Sequence, residues 1–531
     1  MKAVTAGEMR EIDRIAIHEK GIPGPVLMSM AGRAVADHVI SLGPSMRRIA
    51  VIAGPGNNGG DGYVAAYFIH NAGITVDIIT VMNGKDHSES ALIFRRLCMA
   101  SGITERPFAE AIAADVSCLD DYDCVVDALL GIGFTGTARG DMADAIQLIN
   151  DTDVRIVSVD IPSGLGADGA APEGEAVIAD VTVTMGLPKL SLVTYPGKGY
   201  AGQVIVADIG FPTSLTRSDS LKAELIDNDF FSENTIRDNE SYYLADPDAH
   251  KGKRGNLLIV GGFDGMEGAA MLTARAAFET GVGLATLVTT AAAREIIAGS
   301  IPELITASIP FGPDGTAPSM EEVEEALNSA CGGRRYDVLV IGPGLGRAEF
   351  SKRVFDAVIA SAGRWGIRKA LIDGDGLYHL ALMTDKRALD PGIEWAVTPH
   401  FKEASRILDL DIDEIARNRP LAAAMIARRL SCAALLKGPA SIVSDGERHY
   451  INTTGTAALA TAGSGDVLSG IIGALMLRKL TAVHAAACGA WIHGEAADLH
   501  CAGGHYPVMK STDMLLRIRE ARDRLFCGCC P

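Results

Sequence analysis

Thr461-Ala462-Gly463-Ser464-Gly465-Asp466 is followed at once by an apolar-periodic segment over residues 467–475. The pattern predicts a helix that begins near Gly465. Exposed N–H groups at a helix start, with glycines that allow close approach, form a site for phosphate. A carboxylate is repelled by phosphate, so Asp466 is predicted to be a base that faces a substrate hydroxyl. The alternative is that the glycines only turn the chain and Asp466 caps the helix.

The composition places the chain in the α/β class. Its 531 residues exceed one ordinary core, so two or more domains are expected. Hydrophobic residues at 48% and 59 glycines suit many tight turns between strands and helices. A net charge of −18 argues against a nucleic-acid partner. No leader pattern follows Met1 and no apolar run could span a bilayer, so we expect a cytoplasmic location without membrane contact.

A glycine-rich loop over residues 54–62, Gly-Pro-Gly-Asn-Asn-Gly-Gly-Asp-Gly, follows a predicted buried strand at 49–53 and precedes a helical pattern. Its Gly54-x-Gly56-x-x-Gly59 spacing raises the possibility of a hydride-transfer dinucleotide site. However, Pro55 has no N–H to offer a pyrophosphate, and Asp61 puts a negative charge beside it. The loop therefore favours a polar uncharged ligand or a weakly held cation.

Two more predicted strands, at residues 124–129 and 156–160, carry Asp127 and Asp160 at or near their carboxyl ends. Ligands bind at this edge of open α/β sheets. We expect both aspartates to converge with Asn57, Asn58 and Asp61 on one crevice. Each aspartate alone is most often a loop cap, and that alternative stays open for either one.

Four motifs in this half resemble a known family. Residues 56–62 (GNNGGDG), 125–128 (VVDA), 160–164 (DIPSG) and 188–189 (PK) are similar to the epimerase domain of bifunctional NAD(P)H-hydrate repair enzymes, over roughly residues 9–212. The resemblance implies a Rossmann-like three-layer domain that interconverts the R and S forms of hydrated NAD(P)H, NAD(P)HX. It implies a potassium ion bound by Asn58, Asp127 and Ser163. The implied substrate contacts are Asn57, Asn58, Gly59, Gly60, Asp61, Gly131, Ile132, Gly133, Phe134, Thr135, Gly136, Thr137 and Asp160.

Epimerisation at a ring carbon that bears a hydroxyl beside an amine nitrogen needs only acid–base help. The nitrogen lone pair expels hydroxide, and water returns from either face. Asp160 is the predicted catalytic carboxylate, with Lys189 as its helper. Ser29-Met30 and Met185 depart from the family pattern. We expect both to alter packing rather than chemistry, with the first at the rim of the site.

Weak periodicity between the two halves predicts an epimerase domain at residues 1–215, a linker at 216–249 with a short helix after Asp227, and a second domain at 250–531. The basic cluster at 250–255 is interpreted as a solvated turn, with phosphate contact as the alternative. Cys527, Cys529 and Cys530 are interpreted as free thiols in a frayed end, and metal binding there stays a minor alternative.

Strands and helices alternate again in the second half, and polar residues end several strands. Asp373, His400 and Lys437 follow apolar runs in this way. A single histidine is usually a surface or capping residue, but the alignment of His400 with other polar strand ends favours a ligand contact. A lysine that ends a buried strand is costly unless its charge is used, so Lys437 favours nucleotide binding.

This half is similar to the ribokinase-like dehydratase domain of the same family, over roughly residues 251–524. The matching motifs are at 268–270 (GAA), 342–346 (GPGLG), 398–400 (TPH), 437–438 (KG) and 462–468 (AGSGDVL). The resemblance implies a three-layer domain in which Asp466 is the catalytic base. The implied hydrate contacts are Ala269, Gly344, Gly346, His400 and Asp466, and the implied nucleotide contacts are Lys437, Gly438, Pro439, Ala440, Ser441 and Gly465.

The implied reaction is the dehydration of S-NAD(P)HX (NADHX or NADPHX) to NAD(P)H, with ADP and Mg²⁺, giving AMP and phosphate. The implied assembly is a homo-oligomer. One departure lies near the site, where residues 456–459 read Thr-Ala-Ala-Leu instead of the family's Asn-Pro-Gly-Met. It predicts reduced activity or an altered nucleotide preference.

Two alternative functions remain from the sequence alone. The first is a ribokinase-like small-molecule kinase fused to a ligand-binding regulatory domain, since residues 463–466 cannot separate phosphoryl transfer from transfer with elimination. The second treats the first half as a non-enzymatic sensor of the second.

Overall fold

The structure is a computed structural model that describes residues 1–82, 87–114, 119–234, 254–309, 319–331, 335–383, 389–502 and 508–527. Residues 250–253 of the basic cluster and the cysteines at 529 and 530 lie outside these ranges. The chain forms two compact units, Met1–Ala223 and Glu224–Pro531. None of the described helices is long and apolar enough to cross a membrane.

The first unit is built on a parallel sheet. The strands in this unit are β1 (Lys2–Ala3), which lies outside this sheet, and β2 (Arg48–Ala53), β3 (Thr75–Thr80), β4 (Thr104–Pro107), β5 (Cys124–Ala128), β6 (Arg155–Val159), β7 (Val181–Met185) and β8 (Gln203–Ala207). Strands β2 to β8 form one sheet in the order β4–β3–β2–β5–β6–β7–β8, with every neighbouring pair parallel. The order reverses between β2 and β5, so the loops that follow these strands lie side by side.

Helices cover both faces of this sheet, as its side chains require. Along β2, Ile49 and Val51 enter one apolar core, and Ala50 and Ile52 enter the other. A strand apolar on both faces is typical of a parallel sheet between two helical layers. The helices are Ala6–Arg14, Gly24–Ser41, Asn57–Asn71, Glu89–Ala100, Phe108–Ala114, Asp141–Asn150, Leu190–Val193, Lys198–Ala201 and Thr213–Thr216, with a π-helical turn at Ile15–Glu19.

The glycine-rich motif is helical for most of its length, so the prediction of a loop up to residue 62 is wrong. The helix Asn57–Asn71 begins inside the motif. Its glycines allow the helix to pack directly on the strand ends. A Cβ on Gly59 would lie 1.9 Å from the carbonyl oxygen of Gly54, and one on Gly62 would lie 2.6 Å from Ala128 Cβ.

The second unit contains a longer mixed sheet. Its strands are β9 (Ala223–Ile226), β10 (Asn256–Val260), β11 (Leu284–Thr290), β12 (Ile305–Ile309), β13 (Val338–Ile341), β14 (Lys369–Ile372), β15 (Glu394–Val397), β16 (Ala433–Leu436), β17 (Ile442–Ser444) and β18 (His449–Asn452). The order is β9–β18–β17–β16–β15–β14–β13–β10–β11–β12. Strands β10 to β16 are parallel to one another. Strand β17 pairs antiparallel with both β16 and β18. The order reverses between β10 and β13, which is the expected position of a ligand crevice.

Two apolar cores flank this sheet as well. Along β13, Val338 and Val340 face one core, and Leu339 and Ile341 face the other. The predicted three-layer α/β architecture is therefore confirmed. The helices are Asn228–Glu233, Glu267–Thr280, Ala291–Ala298, Met320–Cys331, Glu349–Ser361, Asp375–Leu382, Phe401–Leu408, Ile412–Arg417, Arg419–Leu430, Ser464–Met476, Ala482–Ala502 and Ser511–Cys527, with 3₁₀ turns at Ala362–Trp365 and Ala457–Leu459.

The second unit begins earlier than the sequence predicted. Residues after Glu224 belong to it, although they lie in the predicted 216–249 linker. The expected short helix after Asp227 is present at Asn228–Glu233, and its Phe230 and Phe231 are fully buried in the core. Two adjacent aromatic side chains fix this segment, and apolar periodicity cannot detect so short an anchor.

Candidate active sites

A cavity of about 920 Å³ lies at the carboxyl edge of the first sheet. The loops after β2, β5, β6 and β7 all contribute to its wall. The predicted substrate contacts that line it are Asn57, Asn58, Asp61, Gly131, Ile132, Gly133, Phe134, Thr135, Thr137 and Asp160. Gly59, Gly60 and Gly136 are not among the lining residues; Gly60 packs against Met28 instead.

Asp160 is held in the cavity wall by one of its two oxygens. Its backbone has a left-handed φ of 63°, which is rare for a residue with a side chain. Oδ1 accepts hydrogen bonds from the fully buried Lys189 ammonium, from Thr184 Oγ1 at 3.2 Å and from Met185 N at 3.1 Å. Asp160 Oδ2 accepts no hydrogen bond from any residue that the structure describes. One oxygen therefore fixes the carboxylate, and the other is available to a ligand.

Two further carboxyl groups line the same cavity. Burial and the nearby Asp160 charge raise the pKa of Asp61 well above its usual value and that of Asp13 to about 6. Asp13 was not among the residues predicted from the sequence. The available signal was its position four residues after Met9 on the buried face of a helix, where an acidic residue is unusual.

Asp127, Ser163 and Asn58 meet next to this cavity. Asp127 is fully buried and accepts hydrogen bonds from Ser163 Oγ at 2.5 Å, Ser163 N at 2.9 Å and Ser158 Oγ at 2.8 Å. The Asn58 amide donates to the Leu130 carbonyl oxygen at 3.0 Å, and Ser163 Oγ lies 3.3 Å from the same oxygen. Asp127 is not among the residues that line the cavity, and it is linked to the lining residue Asn58 through Ser163 and Leu130. Burial raises its pKa although these donors oppose the rise.

Met185 and Met30 depart from the family pattern in different ways. Met185 lines the cavity, and its backbone N–H donates to Asp160, so its position bears on the site as well as on packing. Met30 is 41% exposed and is not a lining residue.

In the second unit Asp466 is the third residue of the helix Ser464–Met476, whose N-cap is Gly463. Its carboxyl group accepts no hydrogen bond within the described ranges, so the capping alternative is wrong. Burial and the neighbouring Asp373 charge raise the pKa of Asp466 to about 7. Thr273 Oγ1 lies 3.0 Å from the backbone oxygens of both Asp466 and Ala269. This hydroxyl links the backbone of the predicted base to that of the predicted hydrate contact Ala269.

Lys437 forms an ion pair with Asp373, a contact that was not predicted from the sequence. Lys437 Nζ donates to Asp373 Oδ1 at 2.7 Å, and Ser469 Oγ donates to Asp373 Oδ2 at 2.6 Å. Burial would raise the pKa of Asp373, but the ammonium and these donors more than offset it and the pKa falls. A Cβ on Gly465 would lie 3.4 Å from Lys437 Nζ, so this glycine leaves the ammonium accessible from the helix start.

His400 is both a cap and a candidate ligand contact. Its Nδ1 accepts hydrogen bonds from Lys402 N at 3.1 Å and Glu403 N at 3.3 Å, which caps the helix Phe401–Leu408. The proton therefore resides on Nε2, which lies 3.3 Å from Glu403 Oε1. Burial raises the pKa of Glu403 to about 7. The imidazole therefore caps the helix, and because it is half-exposed it can also contact a ligand.

The glycine turn after β13 packs against the start of the helix Glu267–Thr280. A Cβ on Gly344, whose φ is 59°, would lie 3.0 Å from Ala269 Cβ and 2.6 Å from the Met266 carbonyl oxygen. Gly346 N donates to Asp375 Oδ2 at 3.0 Å. The turn therefore brings the predicted hydrate contacts Ala269, Gly344 and Gly346 to the edge where Asp466 lies.

The predicted nucleotide loop Lys437, Gly438, Pro439, Ala440 and Ser441 has a support that sequence reasoning missed. Arg419 is almost fully buried and donates to the Pro439 carbonyl oxygen and, at 3.2 Å, to that of Ala440. Ala440 has a positive φ of 49°, and Ser441 Oγ donates to the Gly438 carbonyl oxygen at 2.9 Å. The buried arginine fixes the shape of the loop.

The altered segment at 456–459 forms a short 3₁₀ turn. Thr456 Oγ1 accepts a hydrogen bond from Ala458 N, and the preceding Gly455 N donates to Asp498 at 2.9 Å. Leu459 packs against the apolar core. The threonine hydroxyl therefore replaces part of the local constraint that a proline would give.

Comparisons with known proteins match both units. A family model described as NAD(P)H-hydrate dehydratase matches residues 257–519, and one described as YjeF-related protein N-terminus matches residues 24–191. A solved ADP/ATP-dependent NAD(P)H-hydrate dehydratase from Bacillus subtilis, co-crystallised with ATP and Mg²⁺, superposes with a TM-score of 0.44 at 23% identity. The match covers 53% of this chain and 93% of the other.

Relatives of full length are more similar. A bifunctional NAD(P)H-hydrate repair enzyme of Moorella thermoacetica is 37% identical over 508 residues, covering 94% of this chain and 92% of the relative. One from Escherichia coli is 33% identical and covers 97% and 93%. Because these relatives span both units, the kinase and sensor alternatives lose their support. The chain belongs to the family of bifunctional NAD(P)H-hydrate repair enzymes.

Proposed function

We propose that the first unit epimerises R- and S-NAD(P)HX and that the second dehydrates S-NAD(P)HX to NAD(P)H at the expense of ADP. The observation that carries this proposal is the presence, in one chain, of two carboxylates that each lie beside a lysine at a carboxyl sheet edge and keep at least one oxygen without a hydrogen bond from the described residues. Asp160 lies beside Lys189, and Asp466 lies close to Lys437. Relatives that span both units support the same assignment.

In the first unit Asp160 is the proposed acid–base group for the hydroxyl-bearing ring carbon. Its Oδ2 reaches the substrate while Lys189 keeps the carboxylate in place. Asn57, Asn58 and the turn that follows β5 offer amide groups to the polar nicotinamide end.

In the second unit Asp466 takes the proton of the C6 hydroxyl, and the oxygen attacks the terminal phosphate of ADP. The bond to AMP breaks, and the phosphate is now carried on C6. The ring nitrogen lone pair then expels phosphate, and loss of the C5 proton gives NAD(P)H. Lys437 and the N–H groups at Gly465 would hold the nucleotide phosphates.

The cluster at Asp127 fits a potassium ion by its donor chemistry. Asn58, Asp127, Ser163 and the Leu130 carbonyl together present oxygen atoms, which alkali and alkaline-earth cations prefer over nitrogen or sulfur. A bound cation would supply positive charge that holds the loops after β5 and β6 together. In the part of the chain that the structure describes, no group of three or more His, Cys, Asp or Glu side chains could hold a metal, so Mg²⁺ would enter on the nucleotide phosphates.

The test uses mixed R- and S-NADHX with ADP, Mg²⁺ and potassium, following the return of reduced-nicotinamide absorbance. Complete recovery, faster than spontaneous epimerisation, is the expected result. Recovery that stops at the S fraction would overturn the assignment of the first unit. No recovery with either ADP or ATP would overturn the second.

Two matched variants separate the sites. Asp160→Asn should stop epimerisation while pure S-NADHX is still dehydrated. Asp466→Asn should stop dehydration while nucleotide binding is retained. The cytoplasmic location and the homo-oligomer stay proposals from the sequence, which cell fractionation and analytical ultracentrifugation of the full chain test.

A further inference from the structure

Epimerisation requires proton transfer on two faces of one carbon. Hydroxide leaves from one face of C6, and water must add to the other. A single carboxylate pinned in the cavity wall reaches one face only, because its position is fixed by its hydrogen bonds. Asp160 is pinned in this way by Lys189, Thr184 and the Met185 N–H. A second group is therefore needed.

The N-terminal segment places a second carboxyl group in the cavity. Val4 forms a parallel bridge with Lys189, its N–H donates to the Pro188 carbonyl at 2.9 Å, and Leu190 N donates back to Val4 O at 2.9 Å. Thr5 then caps the helix Ala6–Arg14 through a capping box. The helix thus starts beside Lys189, and Asp13 lies on it two turns later.

Met9 and Asp13 of this helix and Ile17 of the following π-helical turn all line the cavity, at a spacing of four residues. The Asp13 carboxyl makes no hydrogen bond or ion pair with any residue that the structure describes. Asp160, in contrast, is ion-paired. The charged side chains that line the cavity together with Asp13 are Arg10, Asp61, Arg139, Asp160 and Lys189.

We propose that Asp13 is a second catalytic residue of the epimerase site, acting with Asp160 on opposite faces of C6; this inference rests on the proposed epimerase function. In one direction Asp13 gives its proton to the leaving hydroxyl, the C6–O bond breaks as the nitrogen lone pair forms a C6=N⁺ bond, and water departs. Water then adds to the other face, and its proton passes to Asp160. Solvent returns the proton from Asp160 to Asp13, and the two groups exchange roles in the reverse direction.

The protonation of Asp13 is suited to this task. Burial and the nearby Asp160 charge raise its pKa to about 6, near the pH at which a general acid is most effective. Because Asp13 must carry its proton to act as the general acid, the rate in this direction should fall as the pH rises through about 6. Loss of the Asp13 proton sets the alkaline side.

The experiment measures the R-to-S rate with NADHX for wild type, Asp13→Asn, Asp13→Glu and Asp37→Asn across about pH 5 to 9. Asp37 is an exposed control with a surface ion pair to Arg33. We expect Asp13→Asn to lower kcat roughly 100-fold with unchanged KM and to lose the alkaline limb. Asp13→Glu should restore the limb in part, and Asp37→Asn should match wild type.

Three outcomes would overturn the inference: wild-type kcat in Asp13→Asn, a rise in KM alone, or an unchanged alkaline limb. If Asp13→Asn does not unfold at the same midpoint as wild type, its rates do not decide the question. Asp13→Glu then decides it, and the inference fails unless this variant keeps the fall in rate at high pH. If wild type itself does not epimerise NADHX, the proposed function fails. If wild type is active and Asp13→Asn is equally active, only this inference fails.

Discussion

The ammonium of Lys437 lies 2.7 Å from Asp373 Oδ1, at a place where the carboxylate is 3% and the lysine side chain 20% exposed. The pair joins the ends of β14 and β16, two strands that do not neighbour each other in the sheet. Ser469, on the helix that carries Asp466, donates to the other Asp373 oxygen. One carboxylate therefore sets the relative position of the proposed base and of the lysine that is proposed to bind the nucleotide.

Asp373→Asn is expected to lower the free energy of unfolding by about 3 kcal/mol, because it leaves a buried ammonium without its counter-charge. Denaturant unfolding of the full chain measures this change. The matched control is the double variant Asp373→Asn/Lys437→Met, which removes the stranded charge and should recover most of the loss. Equal stability of the single variant and wild type would contradict the assigned ion pair.

The dehydration rate should fall as the pH drops through about 7, since Asp466 must be ionised to act as a base and its pKa is raised to about 7. Above that pH the rate should reach a plateau. Asp375 contributes a smaller part of the rise, so Asp375→Asn should move the acid limb to lower pH. Dehydration rates measured with pure S-NADHX at saturating ADP test this prediction. A fall in rate only near the pKa of an exposed aspartate would refute the raised pKa of Asp466.

Gly59→Ala should destabilise the first unit by about 3 kcal/mol, because its Cβ would lie 1.9 Å from the Gly54 carbonyl oxygen. The neighbouring Gly56 provides the control. A Cβ there meets nothing within 4 Å, so Gly56→Ala should stay within about 0.5 kcal/mol of wild type. Thermal unfolding of both variants checks the difference, and similar midpoints would argue against the close approach of helix and strand.

Potassium should raise the unfolding midpoint of the first unit more than sodium does, because a cation that binds only the folded state stabilises it. Asp127→Asn should abolish that difference, since it removes the only carboxylate assigned to the site. Asp37→Asn should keep it. A potassium effect that survives in Asp127→Asn would place the cation elsewhere.

Much of the architecture was predictable because apolar runs and polar strand ends are local properties. The predicted strands at 49–53, 124–129 and 156–160 agree with β2, β5 and β6 to within one residue at each end. The roles of individual side chains were less accessible. Asp373 was visible as a strand end, but its partners Lys437 and Ser469 are 64 and 96 residues away.

Two errors have a common physical cause. The glycine-rich stretch at 54–62 was predicted as a loop because glycine disfavours helices, whereas here close contact with strands requires it. Asp13 was passed over because it interrupts an apolar helix face, and only the fold shows that this face borders a cavity. In both places tertiary contacts override the local preference.

The separation of the chain into two units, each with its own sheet and cores, has a consequence for a cell that makes it. The epimerising and the dehydrating centre are translated together, so their ratio is fixed at one to one and cannot drift with expression. The overall rate of repair can then change only through the turnover rate of each centre or the total amount of the protein. Side chains close to the proposed catalytic carboxylates, such as Asp13 in the first unit and Asp373 in the second, are the positions where substitutions can change that turnover.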